Sequence, residues 1–462
     1  MSIFVVTIIK ALMYIPERII VSRQAKEISR TNEIIQRVQK LNKRVEVINI
    51  SNQSPERPNL TSSELYNHIK DTLVLCTRSQ STNFIETFAS PGKIAENLGV
   101  NGKIYFHCPL RCQFCYLDAS GQGTRWNRVY VDWERFKAEA IKETLVNRIA
   151  LTLWSAISFY EKRPLVKVPD NFKEICDKII RKDVLAVKSK INSDRAAIKY
   201  LQSNLGNFSD NKGIKEIKKS IPVYYEQNKN KDLWINIGEY SDIVGIDHIT
   251  NFLAEVMRWV QEDNALKFSF RTKCANLENL FTLPANNRIK ITMNLNTQTV
   301  IDNYEIGTSS LDDRIKSINN IIRTGGFVVQ LAIEPIIKYK NYFTDYENLI
   351  GRIISEINLD EVRSIKFGTV RYKSGLITTI KKNIPNTDLF NENQKLIEPA
   401  KGDKRWRYSE AERIQVYNNI ISKFGRKYRD KLGLAAEDPS IWDAVGLNKE
   451  AIHNDIVYQY KN

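Results

Sequence analysis

Cysteine is scarce in this chain of 462 residues, with six in all, and three of the six fall within one short stretch. The other three, Cys76, Cys176 and Cys274, are scattered singly. Such a distribution excludes the disulfide framework of a small secreted protein, and it predicts a reducing, cytoplasmic compartment. The sequence also shows no repeat of solenoid period, so that architecture is excluded.

Long apolar runs are missing as well. Residues 1–15 are apolar except for Lys10, but they lack a basic leader and a cleavage site and are too short to span a bilayer. We therefore expect neither a signal peptide nor a membrane partner.

Positive charge is what the sequence has in excess, with a formal net charge of +16. An excess of this size favours a polyanionic partner such as nucleic acid. The alternative is a coding bias rich in lysine and isoleucine, in which case the charge is incidental.

The three clustered cysteines are Cys108, Cys112 and Cys115. Three thiolates on one loop hold three irons of a 4Fe-4S cluster and leave the fourth iron without a protein ligand. A structural zinc site with His107 as a further ligand is the alternative, but zinc sites usually bring two short ligand pairs, and the sequence has no second pair. The spacing therefore predicts an iron-sulfur cluster with an open iron.

This spacing, with Phe114 and Tyr116 flanking the last cysteine, resembles the signature of the radical S-adenosylmethionine (SAM) superfamily. The resemblance implies that the open iron binds SAM, and that an electron from the cluster releases a 5'-deoxyadenosyl radical. It also implies an external electron donor, such as flavodoxin or ferredoxin.

Apolar runs and helical patterns alternate along the chain and predict an α/β fold of parallel βα units. Extended segments are predicted at residues 18–22, 45–50, 72–76, 103–107, 233–239, 267–271, 288–294, 327–333 and 364–371, and the main helices at 25–41, 133–161, 249–262, 311–324 and 346–357. The superfamily resemblance implies a partial (β/α)6 barrel at residues 96–385. An α/β lead-in at 1–95 would precede it, and a C-terminal extension at 386–462 would follow.

Residues 162–232 differ in composition and are rich in basic residues, with 17 lysines and arginines against 9 aspartates and glutamates. Apolar residues at 3-4 spacing predict an inserted helical hairpin, at Ile180, Val184, Val187, Ile191, Ile198, Leu201 and Leu205. The hairpin is interpreted as a grip for nucleic acid, a partner helix or a solvated arm.

Four further motifs indicate one family within the superfamily. They are residues 241–248 (SDIVGIDH), 271–273 (RTK), 304–312 (YEIGTSSLD) and the pair Arg407 and Tyr408. Together they resemble spore photoproduct lyase and its DNA-photolyase-like radical SAM relatives. That family reverses a methylene-bridged thymine lesion in DNA by hydrogen abstraction, and a cysteine thiol then returns the hydrogen atom.

Carried over by position, the resemblance implies that Cys108, Cys112 and Cys115 hold the cluster and that Tyr116 belongs to the radical-return relay. It places four residues at SAM-contacting positions, Ser241, Lys273, Asn294 and Asn296, and makes Arg407 and Tyr408 the lesion-holding pair. Asn294 and Asn296 are two apart and would share one face of a strand. The alternative is that these residues have no role in a site. Asn294 and Asn296 would then be an exposed amide pair, Lys273 and Arg407 surface cations, and Tyr408 a packed ring.

The chain departs from the family at two positions. The hydrogen-donating cysteine of the family falls at Glu239, which cannot act as a thiol does. Gly238 and Glu239 instead resemble the motif that holds the SAM amino group. Phe114 replaces a tyrosine, and Cys274 becomes the candidate hydrogen donor, although a lone buried thiol is more often a small core residue.

The sequence thus predicts a radical SAM enzyme that repairs or modifies a nucleic-acid base. One alternative is a radical SAM enzyme acting on a peptide or small metabolite. Another is a non-catalytic iron-sulfur protein that binds nucleic acid.

Overall fold

The computed structural model describes residues 13–52, 54–86, 99–120, 126–161, 194–206, 212–228, 234–264, 266–390 and 405–447. Two α/β units built on separate sheets make up this part of the chain. None of the described helices is long and apolar enough to cross a membrane.

The larger sheet has eight strands in the order β17-β14-β13-β11-β10-β9-β5-β4. All neighbours are parallel except β4 and β5. The strands are β4 (Ile85–Glu86), β5 (Gly99–Gly102), β9 (Trp234–Asn236), β10 (Phe268–Thr272), β11 (Ile289–Asn294), β13 (Val328–Ile336), β14 (Val362–Thr369) and β17 (Leu432–Leu434). The predicted α/β fold with a parallel sheet is confirmed, and β17 adds a strand that the sequence analysis did not anticipate.

The two faces of this sheet differ in polarity because successive side chains of a strand point to opposite faces. Apolar residues of β10, β11 and β14, such as Phe268, Ile291 and Ile365, are completely buried in the core. The alternate residues are polar and line a cavity, namely Ser269, Arg271, Lys290, Thr292, Asn294, Gln330, Ser364 and Lys366. The sheet therefore packs on one face and builds a site on the other.

The smaller sheet has five strands in the order β2-β1-β3-β8-β6, parallel except for β6 against β8. Its strands are β1 (Arg18–Ser22), β2 (Glu46–Ile50), β3 (Thr72–Cys76), β6 (Tyr105–Phe106) and β8 (Asn127–Tyr130). Two of these lie beyond residue 95, so the predicted end of the lead-in does not separate the sheets. The strand predicted at 103–107 is wrong in extent and place: β5 ends at Gly102, and only β6 follows, in the other sheet.

The four remaining strands are short and form two pairs: β7 (Arg111–Cys112) with β12 (Glu305–Ile306), and β15 (Arg371–Lys373) with β16 (Arg405–Arg407). The segment predicted as one helix at 25–41 forms two, α1 (Arg23–Lys26) and α2 (Ser29–Leu41), because Ile28 is extended. The other helices in predicted segments are α5 (Trp133–Glu161), α8 (Asp247–Thr250), α9 (Phe252–Glu262), α11 (Leu311–Thr324) and α12 (Tyr342–Glu356). Others are α3 (Ser62–Lys70), α4 (Leu117–Ser120), α10 (Gln298–Tyr304), α13 (Ser374–Asn383), α14 (Glu410–Ile421) and α15 (Pro439–Ala444).

The helix predicted at 249–262 is broken in the structure. Asn251 separates α8 from α9 with φ at 59°. Asparagine is one of the few residues that adopts this left-handed conformation readily, which explains why an apolar pattern alone did not reveal the break.

The inserted helices are α6 (Asp194–Gly206) and α7 (Lys212–Asn228), which pack on each other and on α5. Leu201 and Leu205 are completely buried, as the predicted seam requires, while Ile198 is half-buried. Residues 162–193 lie outside the described part, and with them Cys176, Ile180, Val184, Val187 and Ile191. The described helices of the insertion therefore form a three-helix group with α5.

The C-terminal extension is tied to the large sheet by a buried hydroxyl. The Tyr417 hydroxyl on α14 accepts from the Thr369 N–H at 3.0 Å and donates to Glu437 Oε1 at 2.7 Å. Glu437 also pairs with Arg413. Each group is removed from water, so the extension depends on these hydrogen bonds being complete.

We predict that Tyr417→Phe lowers the free energy of unfolding by about 1–3 kcal/mol, because it leaves a buried N–H and a buried carboxylate without their partner. Tyr372→Phe is the matched control: Tyr372 is 2% exposed, and its hydroxyl makes no hydrogen bond in the described structure. Urea denaturation should show a loss for Tyr417→Phe and no loss for Tyr372→Phe. Equal losses in both would contradict this account.

Candidate active site

A cavity of about 850 Å³ lies between the cysteine stretch and the polar face of the large sheet. Cys108, Cys112 and Cys115 line it, together with side chains from β10, β11, β13 and β14. The three predicted cluster ligands and the carboxyl ends of the strands thus meet in one space, where parallel sheets usually build their sites.

The cysteine loop is held by backbone pairing from both sides of Cys112. The strand β7 pairs antiparallel with β12, so that Cys112 lies opposite Glu305. The Gln113 N–H donates to the Tyr304 carbonyl at 2.8 Å, and the Cys115 N–H donates to the Cys112 carbonyl at 3.1 Å. The loop is therefore fixed to the chain near residue 305.

Lys70 anchors the loop from the other unit. This lysine is 1% exposed, and its Nζ donates to the carbonyls of Cys108 and Leu110, at 2.8 Å each. It also lies 2.9 Å from Asp118 Oδ1. Burial alone would lower the pKa of Lys70, but the Asp118 carboxylate raises it above the usual range, so the lysine is a cation.

The chemistry of the three thiols fits a cluster. All three are free cysteines, and burial raises the pKa of Cys112 to about 12 and that of Cys115 to about 11. Metal binding takes the proton from such thiols and supplies the cation that their thiolates need. Within the described residues, no three His, Cys, Asp or Glu side chains are already gathered as a metal-ion site.

The zinc alternative finds no support at His107. This residue does not line the cavity, and its Nδ1 lies 3.8 Å from Asp118 Oδ1.

Tyr116 and Glu239 meet on the cavity wall. The Tyr116 hydroxyl donates to the Glu239 carbonyl at 2.7 Å and lies 3.1 Å from Glu239 Oε1, and Asn236 Nδ2 donates to Glu239 Oε2 at 3.3 Å. Gly238 allows the chain to pass close to β10, since a Cβ there would lie 2.8 Å from the Arg271 backbone nitrogen. The Gly-Glu pair thus brings a carboxylate and a phenol to the same edge of the cavity.

Three buried polar atoms of cavity-lining residues have no hydrogen-bond partner in the described structure: the Tyr372 hydroxyl, and beside the predicted SAM positions Ser241 Oγ and Asn294 Oδ1. Ser241 is 3% exposed and Asn294 is 2% exposed. Because buried polar groups are almost always paired, these two atoms favour a ligand in the cavity.

Lys273 and Asn296 belong to a buried network around Glu305. Glu305 accepts from Lys273 Nζ at 2.7 Å, from Arg314 Nη2 at 2.8 Å and from Asn296 Nδ2 at 3.3 Å. Burial would raise the pKa of Glu305, but the two cations lower it. Lys273 lines the cavity and lies over the Phe114 ring, whereas Asn296 does not line it.

Asn296 makes its hydrogen bonds within the protein, and the SAM contact predicted for it stays a prediction. Its Oδ1 accepts from the Tyr346 hydroxyl at 2.8 Å, and its Nδ2 also donates to the Pro335 carbonyl at 3.0 Å. Asn294 and Asn296 are two apart, but β11 ends at Asn294, so strand alternation does not extend to Asn296.

Three other predicted site residues also lie away from the cavity. Cys274 is absent from its wall, and its Sγ would lie 3.5 Å from a Cβ at Gly245. Tyr408 is completely buried in an apolar cluster, and its hydroxyl accepts from the Lys338 N–H at 3.0 Å. Arg407 pairs with Asp438 at 3.2 Å. The structure thus places Cys274, Arg407 and Tyr408 away from the cavity wall, and the roles predicted for them as hydrogen donor and lesion-holding pair stay predictions.

Sequence reasoning missed the charges on the sheet face. Arg271, Lys290, Lys366, Arg371 and Arg405 all line the cavity. Alternation of polar residues along predicted strands, such as Ser269 with Arg271 and Lys290 with Thr292, is the signal that would have revealed them.

We predict that Lys70→Met lowers the free energy of unfolding by about 3–5 kcal/mol, because it leaves Asp118 charged and buried without its partner. Lys70→Met combined with Asp118→Asn should recover part of the loss. Lys423→Met serves as the control, because its pair with Glu347 is exposed. Stability is measured by thermal unfolding. Equal losses of stability in Lys70→Met and Lys423→Met would contradict the role of Lys70 as an anchor.

Comparison with known proteins agrees with this geometry. Spore photoproduct lyase from Clostridium acetobutylicum is 29% identical over 182 residues, which are 39% of this chain and 53% of the relative. The Bacillus subtilis enzyme of the same name is 26% identical over 201 residues, 42% of this chain and 58% of the relative. The matched part thus spans about half the length of these relatives.

Solved structures share the fold. Spore photoproduct lyase complexed with dinucleoside spore photoproduct superimposes with a TM-score of 0.59 at 16% identity, covering 91% of this chain and 98% of the other. A variant of that enzyme with bound AdoMet and dinucleoside spore photoproduct gives a TM-score of 0.58 at 17% identity, with the same coverage.

The family model for spore photoproduct lyase matches residues 195–431. The cysteine loop lies before this match and is instead supported by the cavity geometry. The matched residues make up more than half of the 462, and they confirm the predicted resemblance: the chain belongs to the spore photoproduct lyase family.

Proposed function

We propose that this protein is a radical SAM enzyme that repairs or modifies a base in nucleic acid, in the manner of spore photoproduct lyase. The observation that carries the proposal is the joint placement of three free thiols and two unpartnered buried polar atoms, Ser241 Oγ and Asn294 Oδ1, on one cavity. Solved structures of the same fold hold AdoMet and a dinucleoside lesion.

Cys108, Cys112 and Cys115 would hold a 4Fe-4S cluster. Together with SAM, the cluster supplies a radical able to remove hydrogen from carbon. Ser241 and Asn294 would hydrogen-bond SAM, and Glu239 would accept from its amino group. Lys273 supplies a cation near Cys112, although Glu305 shares its charge.

Hydrogen return is the step at which this chain departs from its relatives. Glu239 stands where the resemblance implies a thiol, and Cys274 does not line the cavity. Tyr116 carries an O–H on the cavity wall and is hydrogen-bonded to Glu239. The Tyr116 O–H would pass its proton and one electron together to the substrate radical and be left as a neutral phenoxyl radical, with Glu239 holding the phenol in place, and we assign Tyr116 as the hydrogen donor.

Two partners follow from this proposal. The net charge of +16 favours a nucleic acid, and the resemblance to spore photoproduct lyase favours DNA over RNA. The cluster also requires an electron donor, for which a flavodoxin or ferredoxin has the appropriate chemistry.

The deciding experiment is mass spectrometry of nucleosides and 5'-deoxyadenosine after anaerobic reconstitution with iron, sulfide, SAM and dithionite. Ultraviolet-irradiated DNA, untreated DNA, RNA and no nucleic acid are compared. Loss of the thymine lesion in irradiated DNA alone indicates repair, and a new nucleoside in untreated DNA or RNA indicates modification. Equal 5'-deoxyadenosine in all four samples, across a range of salt, would reject the nucleic-acid substrate and favour a peptide or small metabolite.

We predict that Cys112→Ala abolishes formation of 5'-deoxyadenosine, because the cluster loses a ligand. Cys76→Ala is the matched control, since Cys76 is also a buried thiol but lies on β3 in the smaller sheet. The same chromatographic assay should show activity in this control. Turnover by Cys112→Ala at the wild-type rate would refute the cluster assignment.

We also predict that Asn294→Ala weakens SAM binding about 10-fold, because one hydrogen bond to the ligand is lost. Asn296→Ala should instead lower the thermal midpoint and leave the SAM dissociation constant unchanged, because it breaks contacts within the protein. Calorimetric titration of the anaerobically reconstituted variants distinguishes the two. The reverse pattern would restore Asn296 as a SAM contact.

A further inference from the structure

The cavity holds a group of charges that the SAM and cluster roles do not use. Glu334 Oε2 lies 3.0 Å from Arg271 Nη1 and 3.8 Å from Lys366 Nζ, and Glu334 Oε1 lies 2.6 Å from Arg371 Nη2. We call these four residues the Glu334 cluster. All four line the cavity.

The Glu334 cluster contains three cations for one carboxylate. Burial would raise the pKa of Glu334, but the three cations hold it below its usual range, so the carboxylate is ionised and the group is positive as a whole. Lys290 and Arg405 line the same cavity and add to the excess. Cations gathered in a partly enclosed space repel one another, and an anionic ligand relieves that repulsion.

The side chains indicate a phosphate as the anion. Two arginines face one space, and guanidinium groups match the oxygens of phosphate with paired N–H donors. A single carboxylate ligand would not need three cations beside Glu334. The cavity of about 850 Å³ is large for a ligand site and exceeds what a lone ion fills, so the phosphate is part of a larger molecule.

The Glu334 cluster adjoins the side of the cavity assigned to SAM. Asn294 Nδ2 donates to the Glu334 backbone carbonyl at 2.7 Å, and the Oδ1 of the same amide is one of the unpartnered atoms on the cavity wall. A phosphate held by Arg271 and Arg371 would therefore place the attached sugar and base next to SAM.

We propose that the Glu334 cluster binds a backbone phosphodiester of the nucleic-acid substrate and so positions the base for hydrogen abstraction. The identification of the phosphate as part of a nucleic acid rests on the proposed function, whereas the anion site itself does not. Arg371 and Arg271 are the contacting residues, Lys366 adds charge, and Glu334 orients the two guanidiniums.

The test is binding of thymidylyl-thymidine to the full chain after anaerobic reconstitution, measured by calorimetry. The same dinucleotide with an uncharged methylphosphonate linkage is the matched probe, and inorganic phosphate is the third. Arg371→Gln removes one guanidinium and leaves Glu334 with Arg271 and Lys366. Arg352→Gln is the control variant, because Arg352 is also ion-paired, with Glu356 and Asp312, but does not line the cavity.

We expect wild-type protein to prefer the charged dinucleotide to the methylphosphonate, and Arg371→Gln to weaken only the charged one, by about 10-fold. Arg352→Gln should behave as wild type. If Arg371→Gln does not fold, Lys366→Met replaces it, and the same weakening of the charged dinucleotide alone is expected.

Equal binding of the charged and uncharged dinucleotides by wild-type protein would overturn the proposal. Weakening of SAM binding by Arg371→Gln would overturn it too, because the cations would then serve the SAM carboxylate. Inorganic phosphate bound as tightly as the dinucleotide would reject the phosphodiester as its source. None of these results depends on turnover, so a failed activity assay leaves the binding comparison intact.

Discussion

The candidate site depends on one buried carboxylate, Glu305. Its side chain is enclosed by Lys273, Arg314 and Asn296, and its backbone lies opposite Cys112 in the β7–β12 pair. A carboxylate 1% exposed is tolerable only when it is paired and hydrogen-bonded throughout. The side chain of Glu305 has these partners, and its backbone holds the cysteine loop. The positions of the thiols therefore depend on the charged groups that surround Glu305 in the core.

The sequence was informative where a pattern has a direct physical meaning. The cysteine spacing singled out a loop that lines the cavity, and apolar periodicity gave the bounds of α5 and α11 as the structure has them. Alternation of strands and helices gave the parallel sheet. These features are local, so the residues within each segment are sufficient to predict them.

What the sequence did not reveal is contact between distant segments. Asn296 lies two residues after Asn294, yet one is satisfied within the protein and the other faces the cavity. Arg407 and Tyr408 follow the family pattern, while Arg371, whose backbone pairs with Arg407, reaches the cavity. Lys70 joins the loop from 38 residues away. Such roles depend on how distant segments pack against each other, and the pattern within one short stretch of sequence contains no information about that packing.

The polar face of the large sheet has a consequence for the protein before it meets any substrate. A sheet normally gains stability by covering both faces with apolar side chains, whereas here one face carries Arg271, Lys290 and Lys366 around open space. Glu334 lies beside Arg271 and Lys366 and offsets their mutual repulsion, a requirement that an apolar face would not create. A ligand that binds only the native state raises the free energy of unfolding, so the phosphodiester proposed for the Glu334 cluster would link folding to occupancy of the cavity.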